Sequence, residues 1–325
     1  MKAVTLGENG VKIAEIDLPQ PQSNQILVKV RACGLNRSDL LETQGQSFGH
    51  LGGNTKVLGG EFAGEVIEFG SEVEGFSIGD RVMCRGGSGW AEYALANWRR
   101  TVPVPSDDIP WEQAACTQGA VQTMHDAIVT NGRFTAGQSI LILGASSGVG
   151  LMGLQVARAM VAKLVIGTSS NADRRARLAQ FGADLSLDTS NDRWLEQVLE
   201  ATDGNGVDVT IDMLSGDFVN KNMEATAIHG YIINIGRLAG MNGEFNFDRH
   251  AARRLHYIGT TGRTRSMDEH AEVLRRANDE LGGAIERGEI RSLIDKVFPI
   301  EEATQALARM NANEHFGKIV LLLGD

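Results

Sequence analysis

The sequence predicts an α/β protein in which a doubly wound parallel sheet is joined to a β-rich domain. Three observations carry this. From about residue 120, apolar strand-like runs alternate with helix-like segments, the pattern of parallel βαβ units. Before that point, short apolar runs are separated by Gly, Asp and Ser, as in a compact, partly closed β module. Over residues 139–153 an apolar strand runs into a glycine-rich turn that opens a helix.

Taken in order, ILVKVRACGL, GGEFAGEVIEFG and DRVMCRG are the strands expected in the first third. SILILG (139–144) is the first strand of the alternating region, followed by a helix to about Ala162. KLVIGTS, a helix over ADRRARLAQFG, DLSLD, a helix near 191–202, GVDVTIDML, a helix near 217–228 and GYIINIG complete that region. The tail carries a long helix near 267–287, IDKVFPI, the helix EEATQALARMN and a last strand KIVLLL. The expected domains are 1–119, 120–262, and 263–325 returning to the first.

With 325 residues the chain is long enough to bury full-sized cores without a disulfide or metal staple. It has 39 Gly and only 6 Pro, where average usage gives about 23 and about 16. Surplus glycine without proline points to positions where the backbone turns tightly or approaches something closely. Lys and Arg total 31 against 41 Asp and Glu, a net charge of −10, so there is no global attraction for nucleic acid or an anionic membrane. The basic stretch at 249–265 is read as a solvated helix face or cofactor-phosphate contacts, not a nucleic-acid site. Cys33, Cys84 and Cys116 lie far apart, which fits a reducing compartment. Glu8 and Lys12 interrupt any leader-like apolar run, and the uncharged stretch from Phe134 to Ala157 is too rich in Gly and Ser for a membrane span. The expected location is the cytoplasm.

The strongest motif is ILILGASSGVGLMG, in which Gly148, Gly150 and Gly153 spell G-x-G-x-x-G and Gly144 precedes them at the strand end. A strand before it, a helix after it and a second strand about 20 residues on are the context a dinucleotide-binding (Rossmann) turn requires. Gly144 and Gly148 are expected to allow the tight turn, and Gly150 to let backbone amides reach a pyrophosphate. Gly153 is expected to let the helix pack closely on the sheet. Ser146, Ser147 and Val149 lie in the same turn. The second strand ends in Thr168, Ser169 and Ser170, with no acid to accept from ribose hydroxyls. Arg174 and Arg175 follow, and a guanidinium there suits a 2′-phosphate, although Asp173 stands beside them. NADPH is therefore the expected cofactor, ahead of NADH.

VRACGLNRSDLLETQG, LGGEFAGEVIEFGSEVEGFSIGDRV, GASSGVG, GVDVTIDMLSG and NEHFGKIVL occur in this order along the chain. In that order they resemble the medium-chain dehydrogenase/reductase superfamily over essentially the whole chain, and its quinone oxidoreductase branch in particular. The resemblance implies a GroES-like N-terminal domain, a Rossmann domain and a homodimer. Zinc-dependent relatives carry a ligating cysteine where this chain has Asn36, and His-Glu where it has Gly60-Glu61. The cysteine-rich lobe expected near 85–110 is missing, and Cys33 is displaced by three positions from the first ligand. Zinc needs three or four deprotonated ligands, so no metal is expected.

Without a Lewis acid, simple alcohol–aldehyde interconversion is disfavoured. Quinones and C=C bonds conjugated to a carbonyl fit better, because the developing charge is already delocalised. By resemblance, Asn36 lies near the nicotinamide and donates to the developing oxyanion. Thr123, in TQGAVQTMHDAI, matches a threonine that contacts the nicotinamide ribose or amide. His125 reads as a helix residue and not a base. Ile235 and Gly236 after the strand GYIINIG, and the Phe316-Gly317-Lys318 element, complete the expected cofactor contacts, with Lys318 either on the cofactor or in a salt bridge. Trp90 is expected to floor an aromatic substrate pocket, with Tyr93 structural, and His50 in the loop GQSFGHLGGNTKVLGG to reach substrate. No Y-x-x-x-K pair supplies an acid, so proximity is expected to drive hydride transfer. The alternatives are an enoyl or 2-alkenal reductase, a zinc-free alcohol dehydrogenase of one catabolic route, and a nucleotide-binding protein with vestigial activity.

Overall fold

The computed structural model describes residues 1–7, 10–45 and 57–324. The chain forms two units, Met1–Gly119 with Gly262–Asp325, and Ala120–Thr261. Strands β1 (Lys2–Gly7) and β2 (Gly10–Glu15) pair antiparallel. They are followed by β3 (Gln25–Gly34), helix α1 (Arg37–Thr43), β4 (Glu61–Phe69), β5 (Arg81–Arg85), β6 (Tyr93–Asn97), β7 (Thr101–Pro103) and α2 (Trp111–His125). The second unit contains β8 (Ser139–Ile142), α3 (Gly148–Ala159), β9 (Leu164–Thr168), α4 (Ala172–Arg175), β10 (Leu185–Leu187) and α5 (Arg193–Glu200). It continues through β11 (Val207–Asp212), α6 (Val219–Ala225), β12 (Thr226–Asn234), α7 (Phe247–Arg253) and β13 (His256–Gly259). The chain then returns to the first unit as α8 (Met267–Glu286), β14 (Ile294–Pro299), α9 (Ala303–Asn311) and β15 (Lys318–Leu322).

The predicted doubly wound sheet is present as six parallel strands in the order β10-β9-β8-β11-β12-β13. After Ser139, its central strand β8 is apolar, with Ile140, Leu141 and Ile142 fully buried, as a strand covered on both faces must be. The strand order reverses across β8, so the turn that follows β8 lies at the switch point where such sheets take ligands.

In the first unit a seven-stranded sheet runs β14-β15-β3-β4-β5-β7, with β6 paired to β3. The pairs β15·β3, β3·β4 and β4·β5 are all antiparallel. Consequently the start of β15, the end of β3, the start of β4 and the end of β5 meet at one end of the sheet. Val28, Phe62, Val66, Trp90 and Leu321 are among the buried residues of the core beneath it.

Three segments depart from expectation. The helix expected near 217–228 ends at Ala225, and Thr226 already begins β12. ADRRARLAQFG is helical only over α4, and a separate 3₁₀ turn at Leu178–Phe181 follows, ended by left-handed Gly182. The basic stretch at 249–265 contains a short helix and the edge strand β13, whose His256, Tyr257 and Ile258 pair with Tyr231, Ile232 and Ile233. Among the described residues no helix is long and apolar enough to cross a membrane.

Candidate active site

Four side chains meet at the sheet end where β15, β3, β4 and β5 converge. Lys318, the first residue of β15, is 4% exposed, and Glu61, the first residue of β4, is 2% exposed. The Lys318 ammonium donates to Leu35 O at 2.9 Å, to Asn36 Oδ1 at 2.8 Å and to Glu61 Oε1. All three of its hydrogens are thereby used. Glu61 also accepts from Arg85 Nη1 at 3.3 Å, a pairing set by register, since Glu61 and Arg85 are opposite one another on β4 and β5. Burial acts to lower the Lys318 ammonium, but Glu61, with smaller help from Cys116 and Asp39, outweighs it, so the group is held above its ordinary range and stays charged.

This geometry decides how Asn36 presents its amide. Lys318 has only hydrogens to offer, so the carboxamide oxygen must face it and Nδ2 must face the other way. Nδ2 is buried and has no hydrogen-bond partner among the described residues. A buried amide donor left unpaired costs about 1–3 kcal/mol, so this N–H has the capacity to donate to an acceptor oxygen placed beside it. Of the two roles expected for Lys318, the structure supports the salt bridge, because no ammonium hydrogen is left for a cofactor phosphate. Through its bond to Oδ1 it fixes the orientation of the Asn36 carboxamide.

The same residues do not fit a zinc ion. The Asn36 oxygen and the Glu61 carboxylate are engaged by cations already, and Gly60 has no side chain. Cys33 donates its thiol hydrogen to Gly89 O at 3.0 Å, and burial, reinforced by Cys116, Asp39 and Glu61, pushes that thiol well above its ordinary range. Among the described residues no group of three or more His, Cys, Asp or Glu is arranged to hold a metal.

In the second unit the glycine turn fits a dinucleotide phosphate. Gly144 has φ +73°, a left-handed conformation that a residue with a side chain adopts only under strain. Ser147 caps α3, its Oγ accepting from Gly150 N at 3.0 Å and donating to Gly144 O at 3.1 Å. A Cβ at Gly150 would stand 2.7 Å from Gly144 O and from Ala145 Cα, so only glycine lets the helix start lie on the turn. Gly153 meets Met124 and Ile142, the close helix–sheet packing expected of it. Gly148 opens α3 with no positive φ, so among the expected tight-turn glycines it is Gly144 that supplies the unusual backbone. Val149 is half-buried.

The end of β9 is tied to this turn. Thr168 Oγ1 accepts from Gly144 N at 3.1 Å, and Ser169 Oγ donates to Ser146 Oγ at 3.0 Å. Ser170 is exposed beside them. Arg175 is engaged by Ser169 O at 2.8 Å and by Asp188, while Arg174 is half-buried in α4. Ile235 and Gly236 follow β12 and donate their backbone N–H groups to Asp212 O, at 2.9 and 3.2 Å. Thr123 is half-buried in α2, and His125 is fully buried at its last turn.

Trp90 requires a correction. It does not floor a pocket but is fully buried in the first unit's core, where it packs against Gly59, whose Cβ would lie 2.3 Å from Trp90 Cδ1. Tyr93 is half-buried on β6, opposite Lys29. The Phe316 side chain is buried, and its backbone N donates to Asp295 Oδ1 at 3.0 Å. Gly317 turns with φ +104° into Lys318. His50 lies outside the described residues. Sequence reasoning passed over Arg85 and Asp39, and the Asn-x-x-Asp spacing of a helix-capping box was the available signal for Asp39.

Comparison with known proteins agrees with this architecture. Residues 22–106 match the alcohol dehydrogenase GroES-like domain family, and residues 148–279 the zinc-binding dehydrogenase family. The chain is 32% identical over 311 residues to a quinone oxidoreductase of Pseudomonas aeruginosa, covering 93% of this chain and 92% of that one. It is 29% identical over 313 residues to the quinone oxidoreductase of Rattus norvegicus, covering 95% and 92%. A mycobacterial quinone oxidoreductase structure superposes with a TM-score of 0.85 at 26% identity, over 99% of each chain. The chain belongs to the medium-chain dehydrogenase/reductase superfamily, in its quinone oxidoreductase branch, and is an NAD(P)H-dependent reductase.

Proposed function

We propose that this protein is an NADPH-dependent oxidoreductase that reduces quinones or conjugated enones without zinc. The observation that carries the reading is the Asn36 amide, locked by Lys318 so that a buried Nδ2 donor has no partner of its own among the described residues. Such a donor stabilises an oxyanion as it forms and needs no reorganisation to do so. The cofactor, when bound, supplies the hydride. The turn at Gly144–Gly150 is assigned to its pyrophosphate, and Ser169, Ser170 and Arg174 to its 2′-phosphate. The remaining assigned contacts are Asn36, Thr123, Ile235, Gly236 and the Phe316–Lys318 element, in which Lys318 acts through Asn36. The relatives named quinone oxidoreductases support the acceptor class. A homodimer is the assembly expected from the family.

A panel of acceptors tests the reading. NADPH oxidation is followed with 1,4-benzoquinone, phenanthrenequinone, an enone, an alkenal and an aldehyde, and repeated with NADH. Turnover of quinones or the enone, faster with NADPH and unaffected by a chelator, is the expected result. Turnover of the alkenal and enone alone makes the protein a double-bond reductase. Tight NADPH binding without turnover of any acceptor overturns the enzymatic reading.

A further inference from the structure

Asp39 lies in the first turn of α1, three residues after Asn36, and is 2% exposed. Its Oδ2 accepts from the Asn36 backbone N–H at 2.7 Å. Oδ1 accepts no hydrogen bond from any described residue and faces Gly60, where a Cβ would stand 3.5 Å away. Gly60 is half-buried, and among the described residues, its chain neighbours aside, only Asp39 Oδ1 and the Gly86 carbonyl oxygen lie within 4 Å of where its Cβ would stand. The charged groups around Asp39 are Glu61 on β4, Lys318 on β15 and Arg85 on β5, with the Cys33 thiol on β3. Both cations are bound to Glu61, and neither pairs with Asp39. A buried carboxyl without its own cation keeps its proton. Burial pushes Asp39 up to about 7, with Glu61 adding to the effect and the Asn36 N–H, Lys318 and Arg85 opposing it.

We propose that Asp39 is the proton source of the reaction, delivering its proton to the reduced acceptor through a water seated at Gly60. The assignment rests on the hydride-transfer reading and completes it. With an enone, hydride and its electron pair add to the β-carbon, and the π pair moves to leave an enolate whose oxygen accepts from Asn36 Nδ2. The water then gives a proton to the enolate α-carbon and takes one from Asp39. The Asp39 O–H electrons stay on the carboxylate, which is reprotonated from solvent. Oxidant and reductant are the enone and NADPH, and the proton is the only species Asp39 contributes.

The test compares the wild type with Asp39→Asn, which keeps an acceptor for the Asn36 N–H, by measuring enone turnover with NADPH from about pH 5 to 9. The wild-type rate is expected to fall as pH rises through about 7, because the proton is then lost before it can be transferred. In Asp39→Asn the rate at about pH 6 is expected to drop about 100-fold and the inflection to vanish, with NADPH affinity unchanged. Gly60→Ala, whose methyl fits at 3.5 Å, is the second variant. It is expected to lower the enone rate without moving the inflection, because the carboxyl remains and only the water's place is filled. An Asp39→Asn profile that superposes on the wild type overturns the assignment, as does an undiminished rate in Gly60→Ala if the first variant does not fold. Failure of the wild type to reduce any acceptor overturns the hydride-transfer reading as well, whereas wild-type turnover with an unchanged variant profile overturns only the role of Asp39.

Discussion

Lys318→Met is expected to lower the unfolding free energy by about 3 kcal/mol and to lower kcat more than NADPH affinity. The substitution keeps the aliphatic stem and removes the donor for three acceptors, Leu35 O, Asn36 Oδ1 and Glu61 Oε1. Glu61 would be left at 2% exposure with only Arg85 Nη1 at 3.3 Å beside it. Breaking a buried pair by removing one partner costs about 3–5 kcal/mol, and the remaining guanidinium places this case at the lower end. Adding Glu61→Gln should recover part of the stability, because the uncompensated charge disappears. It should not recover kcat, because the Asn36 amide is then free to rotate. Urea unfolding of both single variants and the double variant checks the first statement, and steady-state kinetics the second. A loss of less than about 1 kcal/mol in Lys318→Met would mean that the pair contributes little to holding this end of the sheet.

Gly150→Ala is expected to weaken NADPH binding by at least about tenfold and to destabilise the second unit by about 2 kcal/mol. The added methyl would meet Gly144 O and Ala145 Cα at 2.7 Å, and Ala145 C at 2.8 Å. These are backbone atoms, so no rotamer change relieves the clash. The first turn of α3 must move away from the Gly144 turn, which disturbs the Ser147 cap and the Thr168 contact with it. The amides assigned to the pyrophosphate are carried by this segment. Titration of cofactor fluorescence and thermal unfolding give the two readouts. Near-normal affinity in the variant would remove the turn from the cofactor assignment.

The doubly wound sheet was legible because its strands are short apolar runs, its helices lie between them, and the glycine turn falls at the end of the first strand. The edge strand β13 was not, because His256 and its arginine-rich surroundings present the charge density of a solvated helix. Pairing with β12 along one side alone lets such a segment form a strand. Trp90 was misplaced because a neighbouring aromatic and glycine look the same in sequence whether the ring faces ligand or core. Only the left-handed Gly59, at φ +109°, brings the ring against backbone.

Within the site, Asn36 and Lys318 were each visible through family motifs, but their contact was not. They lie 282 positions apart, and the antiparallel succession of β15, β3 and β4 brings them together. Glu61 was noticed only as an insufficient zinc ligand, yet it holds the cation that orients Asn36. Asp39 went unread because its character comes from burial and from a charge on another strand, neither of which is local information.

The central claim is that an orientated carboxamide at position 36 stabilises the oxyanion formed on hydride transfer. Its most direct test is kcat for Asn36→Ala with NADPH and the best acceptor, alongside NADPH affinity. The expected result is a fall of about 100-fold in kcat, as for removal of one preorganised oxyanion donor, with NADPH affinity lowered far less than kcat because the Gly144–Gly150 turn still holds the pyrophosphate. A kcat within about threefold of the wild type would contradict the claim.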